Sequence, residues 1–513
     1  MTTMDERLLY RRQFFLGDAY LEAFPTWNRQ AIAGRHRISA HPDLKLTHGA
    51  HEAKSITLLG FVLDPDDPAA DDTTIIARLC RALEKSRDLP ALTSRLGGRW
   101  VMIVHDGRDT LLFHDAAGLR QVYYFQPSEP AAGIVCASQP GLIAETFGLS
   151  VDPAALDYVR SRGDSDCEVY WLPGDTSPYA EVKALLPNHL LRLIENGRAE
   201  RYWPIADVKP ISYESGLRES VRLLRGLVAS ARRRHPLAVA MTAGWDSRLM
   251  LALSKDAAAD LYCYTLLYPS ISRRSRDVWV PAKLLERLGI PHHLLGYPEH
   301  ADESFKTVAK RSGSSVHLPY CLDAQAIREH YPADRLCLTG DVAEVVKVHY
   351  RLPGRRGARQ GARPTAAELA IVAKVGAHPF ALAAYDAWLA DAPQHGHLDL
   401  LDLFCWEQMA GRWHGQIRAE YDIVQESLAP LDCRSLLVTM LAVDERHRTG
   451  PKFELFRDMI DGLWKDVLQV PINPRETIRW KRVIATMLQR LRVYDLVAPR
   501  AKVLAKRISR RGL

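Results

Sequence analysis

The chain has 513 residues, 47% of them hydrophobic and 25% charged, and its net charge is +7. This length exceeds that of one ordinary domain, so we expect at least two hydrophobic cores. The mild positive charge gives no indication of a nucleic-acid partner. The sequence also lacks an apolar run near the ~20 residues of a membrane-spanning helix, so no membrane span is expected.

The eight cysteines are scattered, and none forms a C-x-x-C pair, which argues against a zinc ribbon or a thioredoxin-like site. Cys136 and Cys263 lie inside apolar runs, so we expect buried free thiols in a reducing compartment. Residues 1–12 are rich in charge and lack the apolar core of a signal peptide. Together these features predict a cytoplasmic protein.

Up to about residue 205 the sequence predicts mainly β structure. A helical pattern between residues 73 and 92 is the exception, with apolar residues at helical spacing. Strands are predicted on both sides of the turn dipeptide Asp106-Gly107. The predicted strands of this region cover residues 99–105, 110–114, 121–125, 133–137 and 189–193.

From Tyr213 onward, helices and strands alternate, which predicts a parallel sheet covered by helices. The predicted strands are 237–241, 261–266 and 294–295, and the region from residue 366 is mainly helical. Pro204 and Pro210 interrupt regular structure. We therefore predict a first domain over residues 1–205 and a second over residues 213–513.

The apolar strand 237–241 runs into the segment T-A-G-W-D-S-R at residues 242–248. A strand, a turn of small residues and a helix N-terminus together form an anion site, because backbone N–H groups and the helix dipole favour negative charge. Hydroxyls of Thr242 and Ser247 add donors. Asp246 would repel a phosphate unless Mg²⁺ bridges the two. The alternative is an ordinary corner in which the aspartate caps the helix.

The turn T-A-G-W-D-S resembles the S-G-G-x-D-S pyrophosphate loop of the N-type ATP pyrophosphatases, which split ATP into AMP and pyrophosphate. Other segments resemble, in the same order, one branch of these enzymes, the asparagine synthetase family. They are L-G-G-R-W and D-A-A-G-L-R-Q-V-Y-Y within 96–124, Y-T at 264–265 with L-G-I-P-H-H at 288–293, L-T-G-D-V-A-E at 338–344, and A-P-L-D at 429–432.

The resemblance implies an α/β fold with two parts. Residues 1–205 would form an Ntn-like αββα sandwich of the class II glutamine amidotransferase type. Residues 213–513 would form a parallel-sheet PP-loop domain, like that of the adenine nucleotide α-hydrolases, with a helical C-terminal part.

The resemblance also implies a site for ATP and Mg²⁺. The nucleotide would contact Thr242, Ala243, Gly244, Asp246, Ser247 and Gly340. The metal would be held by Asp246 and Glu344. Asp341 would accept the proton of an attacking amine, or else cap the structure after a strand. Glu426, the second catalytic candidate, would face the same cleft, or else be a carboxylate on a surface helix.

Two departures from the family pattern affect the expected activity. Thr2 stands where glutamine-hydrolysing members carry cysteine, and the N-G-E motif is absent, so we expect a degenerate glutaminase domain as in β-lactam synthetases and lasso-peptide cyclases. The family's catalytic lysine has no counterpart at its usual place, which leaves Lys452 and Lys481 as candidates. The arginine-rich stretch 351–363 is either a solvated loop or a basic lid.

The resemblance implies an ATP-dependent carbon–nitrogen ligase that activates a carboxylate as an acyl-adenylate and releases pyrophosphate and AMP, without glutamine hydrolysis. Its substrates would be small-molecule or peptide carboxylates and amines. Two alternatives stay open, a peptide macrolactam cyclase of the lasso type and a non-catalytic nucleotide-binding scaffold. A homodimer also stays open.

Overall fold

The computed structural model describes residues 7–474, with gaps at 33, 87, 129–132, 164–170, 194–196, 198, 205–206, 270, 314–319, 353–362 and 394–397. Two antiparallel sheets of six strands are followed by a parallel sheet of five strands and a mainly helical region. The predicted α/β fold class is therefore confirmed.

The first two sheets use strands from the first part of the chain alone. The strands are β1 Phe14–Gly17, β2 Asn28–Ala31, β3 Arg37–Ala40, β4 Leu46–His51, β5 Lys54–Leu63, β6 Gly97–His105, β7 Thr110–His114, β8 Tyr123–Phe125, β9 Val135–Ala137, β10 Lys183–Ala184, β11 His189–Arg192 and β12 Ala199–Arg201. Their orders are β10-β8-β9-β1-β3-β2 and β12-β11-β7-β6-β5-β4. The helices are α1 Asp72–Ala82, α2 Leu89–Thr93, α3 Pro140–Phe147 and α4 Pro153–Gly163.

Strand β6 explains how these layers stack. Its side chains alternate between the two faces of the sheet, as strand geometry requires. Trp100 and Met102 pack toward α1, whereas Val101 and Ile103 pack toward the other sheet. Since both faces are covered, residues 100–104 of the strand are all apolar. Helix α3 covers the outer face of the first sheet. The layers follow the order helix, sheet, sheet, helix.

The second part of the chain alternates strands and helices before it becomes mainly helical. Its elements are α5 Tyr213–Arg234, β13 Leu237–Ala240, α6 Trp245–Leu253, a 3-10 helix Lys255–Asp260, β14 Tyr262–Leu266, α7 Arg276–Leu288, β15 His292–Leu295, α8 Glu303–Ser312, α9 Cys321–His330, β16 Leu336–Leu338, α10 Ala343–Val346, α11 Ala366–Val372, α12 Pro379–Asp391, α13 Leu400–Phe404, a π-helix Cys405–His414, α14 Gly415–Tyr421, β17 Ser427–Leu428, α15 Arg434–Leu441, α16 Glu445–Arg448, α17 Glu454–Trp464 and a 3-10 helix Lys465–Gln469.

The parallel sheet has the order β15-β14-β13-β16-β17. β13 lies in its middle with helices on both faces, so Leu237, Ala238 and Val239 are all buried. Because the strands are parallel, the turns that follow β13 and β16 meet at the carboxyl edge of the sheet. Ligands of open α/β sheets bind at this edge.

The two parts of the chain share one hydrophobic core. Phe61 and Leu63 of β5 pack in the same cluster as Leu224 of α5 and Trp406 of the π-helix. The predicted boundary between residues 205 and 213 lies between β12 and α5, and it stays a prediction because the packing continues across it. All seven cysteines in the described ranges are free and buried. None of the helices that the structure describes is long and apolar enough to cross a membrane.

Candidate functional site

The turn between β13 and α6 is held by its own hydroxyl groups. The backbone N–H of Thr242 donates to Ser247 Oγ at 3.3 Å, and the two side-chain oxygens stand 3.1 Å apart. The Gly244 N–H donates to Thr242 Oγ1 at 3.2 Å, and the Ala243 N–H donates to Asp277 Oδ1 at 3.0 Å. These hydrogen bonds within the turn fix its shape.

Helix α6 begins without a side-chain cap. Gly244 is its N-cap residue, and no side chain in the described ranges bonds to the first turn from that position. Asp246 lies in the first turn and pairs with Lys347 instead of capping, so the capping alternative does not describe this corner. Uncapped N–H groups at a helix start attract anions.

The turn after β16 reaches the same edge of the sheet. Val342 has φ of +74°, a left-handed conformation that is strained for a β-branched residue. Its N–H donates to His414 Nδ1 at 3.1 Å, which helps to hold the turn in this form. The next residues form the short helix α10, which carries Glu344 toward Asp246.

The two predicted metal ligands meet at one ammonium group. Lys347 Nζ lies 2.8 Å from both carboxylate oxygens of Asp246 and 3.3 Å from Glu344 Oε1. The other oxygen of Glu344 lies 3.9 Å from His414 Nε2. Lys347 was not predicted, although its position three residues after Glu344 is the spacing of a helical ion pair.

Burial and mutual repulsion shape the charges of this cluster. Burial, followed by the neighbouring Glu344 carboxylate, raises the pKa of Asp246 to about 6 although Lys347 opposes the shift. Burial also acts against ionisation of Glu344, but Lys347 and His414 outweigh it and lower the pKa of that carboxyl. Ionisation of Asp246 is therefore disfavoured by its neighbour, because one ammonium faces two carboxyl groups.

Asp341 lies beside this cluster with partners of its own. Its Oδ2 accepts a hydrogen bond from Thr339 Oγ1 at 2.9 Å and lies 3.1 Å from Arg418 Nε. Burial opposes its ionisation, but Arg418 and His414 lower the pKa of the carboxyl below its usual range. A carboxylate paired with a guanidinium is a weak base, so its role as a proton acceptor stays a prediction that requires Arg418 to move.

Glu426 was expected to face this cleft, but the structure places it elsewhere. It precedes β17 at the amino end of the sheet, where its carbonyl oxygen accepts the N–H of Cys337. Its carboxylate lies 2.8 Å from Arg12 Nε and 3.0 Å from Arg120 Nη2. Glu426 is therefore a charge partner for arginines of the first part of the chain, and we correct its assignment accordingly.

Of the other predicted residues, Gly340 lies directly against Asp246, whereas within the described residues no contact joins Lys452 to the cluster. Lys452 is 77% exposed and lies 3.9 Å from Glu454. Thr2, Lys481 and most of the arginine-rich stretch fall outside the described residues. Among the residues that the structure describes, no three histidine, cysteine, aspartate or glutamate side chains are grouped to hold a metal ion.

No protein-family model and no curated protein matches the chain. Solved structures give weak matches. The allosteric regulatory enzyme of purine biosynthesis is 11% identical, with a TM-score of 0.24, over 58% of this chain and 63% of that one. Glutamine PRPP amidotransferase from B. subtilis, complexed with ADP and GMP, is 10% identical, with a TM-score of 0.24, over 64% and 91%.

A third match is glutamine-dependent NAD+ synthetase from Acinetobacter baumannii in complex with ADP. It is 15% identical, with a TM-score of 0.20, over 38% of this chain and 42% of that one. The chain thus spans less than two thirds of the first and third of these structures. Such low TM-scores carry no argument about function, which therefore rests on the geometry of the cluster.

Proposed function

We propose that the turn between β13 and α6 binds the phosphates of ATP, and that the protein uses ATP to activate a carboxylate for amide-bond formation. One observation carries the proposal. An uncapped helix start stands beside two carboxylates, Asp246 and Glu344, that converge on one cation. This combination suits an anionic ligand that arrives with a divalent metal.

The turn offers several donors to a phosphate. The N–H groups of the first turn of α6, which receive no side-chain cap from Gly244, and the hydroxyls of Thr242 and Ser247 lie on the same short segment. The two hydroxyls lie within hydrogen-bond distance of each other and of backbone groups of the same turn, and a phosphate oxygen would replace one of these partners. Gly340 and Ala243 keep the surroundings small, which permits close approach of the backbone.

Asp246 and Glu344 fit a magnesium ion, because both reach a single cation in the structure. Mg²⁺ is usually held by one or two carboxylates together with substrate phosphates and water, so the pair needs no third protein ligand. When bound, Mg²⁺ would neutralise the charge that develops on the departing pyrophosphate. The two side chains would hold and orient it.

The chemistry follows from the low reactivity of a carboxylate toward amines. In the proposed reaction a carboxylate oxygen attacks the α-phosphorus of ATP and pyrophosphate leaves. The amine then attacks the acyl carbon and expels AMP, while Asp341, freed from Arg418, accepts the amine proton. Glutamine hydrolysis is not part of the proposal, because the sequence lacks the N-G-E motif.

The substrates belong to the classes of small-molecule or peptide carboxylates and amines. When both groups belong to one peptide, the same chemistry closes a macrolactam ring. The experiment mixes the protein with Mg-ATP and a panel of acids, with and without amines, and follows pyrophosphate and AMP. Asp246→Asn should abolish release, whereas Asp461→Asn, on the exposed side of α17, should not.

Two outcomes decide between the candidates. Pyrophosphate release that survives in Asp246→Asn would show that the carboxylate pair does not serve the reaction. Nucleotide binding by calorimetry without pyrophosphate release, over the whole panel, would favour a non-catalytic nucleotide-binding scaffold. The contact between Lys347 and both carboxylates is the observation that keeps this second candidate open.

A further inference from the structure

Lys347 occupies the point where a cation would join the two carboxylates. Its ammonium is 2.8 Å from each oxygen of Asp246 and 3.3 Å from Glu344 Oε1, and its side chain is only 13% exposed. The ammonium also lies 5.8 Å from the centre of the Phe456 ring. A lysine held this far from water depends on its two carboxylate partners, because ammonium groups are strongly hydrated.

A divalent ion on the same two carboxylates would exclude this ammonium. Mg²⁺ stands about 2.0–2.1 Å from its oxygen ligands, so an ion shared by Asp246 and Glu344 takes the space that Lys347 Nζ fills. Two cations at that distance also repel each other strongly in a buried site. The lysine and the metal therefore compete for one position.

The ammonium has another partner once phosphates arrive. Asp246 belongs to the first turn of α6, so a phosphate on the uncapped helix start would lie close to the cluster. The lysine side chain is a flexible four-carbon stem with a point charge at its end. It can leave the carboxylates for a phosphate oxygen without a backbone change, which keeps its charge paired.

We propose that Lys347 is the counter-ion of the Asp246–Glu344 pair and that its ammonium prevents a free divalent metal ion from binding there. When a nucleotide binds, the ammonium moves to a phosphate oxygen and the metal ion takes its place on the two carboxylates. This inference rests on the proposed function and adds to it the order in which the ligands bind. Metal and nucleotide enter together, and the metal alone does not bind. Lys347 is a positioning residue in this scheme, because it acts on the carboxylates and not on the reacting atoms.

Mn²⁺ is the probe, with uptake measured from the loss of the free-ion paramagnetic signal. Without nucleotide, the wild-type protein should take up no Mn²⁺. With ADP added, it should take up one ion per chain in excess of the Mn²⁺ that the same concentration of ADP binds in the absence of protein. Lys347→Met should bind Mn²⁺ without nucleotide at least about tenfold more tightly than the wild type. Lys347→Arg keeps the cation and should stay closed to Mn²⁺.

Lys306→Met is the matched control. Lys306 also pairs with a glutamate three residues earlier, at the same 3.3 Å, but on the exposed face of α8. This variant should behave as the wild type. If Lys347→Met does not fold, the wild type alone decides, since uptake of Mn²⁺ without nucleotide would overturn the inference.

The outcomes separate this inference from the proposed function. Equal uptake of Mn²⁺ by the wild type and by folded Lys347→Met would overturn the role of the ammonium, whatever the nucleotide does. Tighter Mn²⁺ binding by Lys347→Met than by the wild type, with no ADP binding by any variant, would support competition between the ammonium and the metal ion for the two carboxylates. That result would overturn both the transfer to phosphate and the proposed function.

Discussion

Gly340 lies directly against Asp246, so close that a Cβ atom on residue 340 would stand 2.4 Å from the Cβ of Asp246. This contact joins the turn after β16 to the first turn of α6. It brings the helix that carries Glu344 within reach of Asp246. The distance between the carboxylates of Asp246 and Glu344 therefore depends on residue 340 having no side chain.

Gly340→Ala should push the two turns apart and weaken nucleotide binding. Added volume in a packed contact costs about 1–3 kcal/mol, which corresponds to a loss of about five- to 150-fold in affinity if it falls on the bound state. Calorimetry with ADP and Mg²⁺ measures it. Gly462→Ala is the control, since nothing lies within 4 Å of its added Cβ. Wild-type affinity in Gly340→Ala would contradict this account of the contact.

Local features of the fold and site could be predicted from the sequence. The hairpin β6–β7 surrounds the Asp106-Gly107 turn, and β13 runs into α6 at the small-residue turn, because neighbours in the chain fix both. Several strands of the first part escaped prediction, among them β1 and β3. β1 and β3 have four residues each, and they are determined by pairing between segments that are apart in the chain. The ten-residue β5 also escaped prediction, although its hairpin partner β4 is adjacent in the chain.

Contacts between distant residues of the site were beyond prediction. Asp341 meets Arg418 only because the π-helix and α14 return to the sheet edge. Glu426 pairs with Arg12, although the whole first part of the chain separates the two residues in sequence. Lys347 is different, because its spacing of three residues from Glu344 is a signal that the local sequence contains. It was not predicted to belong to a metal site, because a lysine is positively charged and does not bind a metal ion.

Arg248→Met should loosen the segment that follows α17. The buried guanidinium donates to three carbonyl oxygens, those of Val467 and Val470 at 2.7 and 2.8 Å and that of Pro471 at 3.2 Å. Three carbonyls would lose a charged donor, at about 1–3 kcal/mol for each group left buried and unpaired. Denaturant unfolding should show a loss of a few kcal/mol.

Arg248→Met should also affect the site. The segment continues to Asn473, whose N–H donates to the Ala243 carbonyl at 2.9 Å. Faster hydrogen exchange is therefore expected at Ala243 and Gly244, in the turn before α6. Arg225→Met provides a control, because this exposed arginine bonds a carbonyl on the surface of α17. Unchanged exchange in the turn would show that the segment does not support it.

Asp422→Asn should destabilise the contact between the two parts of the chain. Asp422 pairs with Arg99 through both guanidinium nitrogens, and both side chains are almost fully buried. Removal of this partner leaves the buried guanidinium with Glu426, 3.8 Å away, in place of a bidentate pair, and breaking a buried pair costs up to about 3–5 kcal/mol. Asp43→Asn breaks an exposed pair with Arg11 and should cost about 0–1 kcal/mol. Urea unfolding compares the two, and equal losses would contradict the importance of burial.

Glu420→Gln should change how stability depends on pH. Glu420 is buried, and its Oε1 accepts a hydrogen bond from Gln416 Nε2 at 3.0 Å. Burial raises the pKa of this carboxyl from 4.5 to about 8, although Gln416 opposes the shift. The native protein therefore keeps a proton that the unfolded chain releases. The free energy of unfolding of the wild type should fall as pH rises from about 4.5 to about 8, and this loss should then level off.

The variant has no proton to lose at this position. Glu420→Gln should equal the wild type near pH 5 and exceed its free energy of unfolding at about pH 8 by on the order of 3 kcal/mol. Glu329→Gln is the matched control, because Glu329 accepts the same kind of bond from Gln325 but its carboxylate remains in water. Parallel pH profiles of the wild type and Glu420→Gln would mean that Glu420 is ionised in the native protein, with a cation or water held beside it.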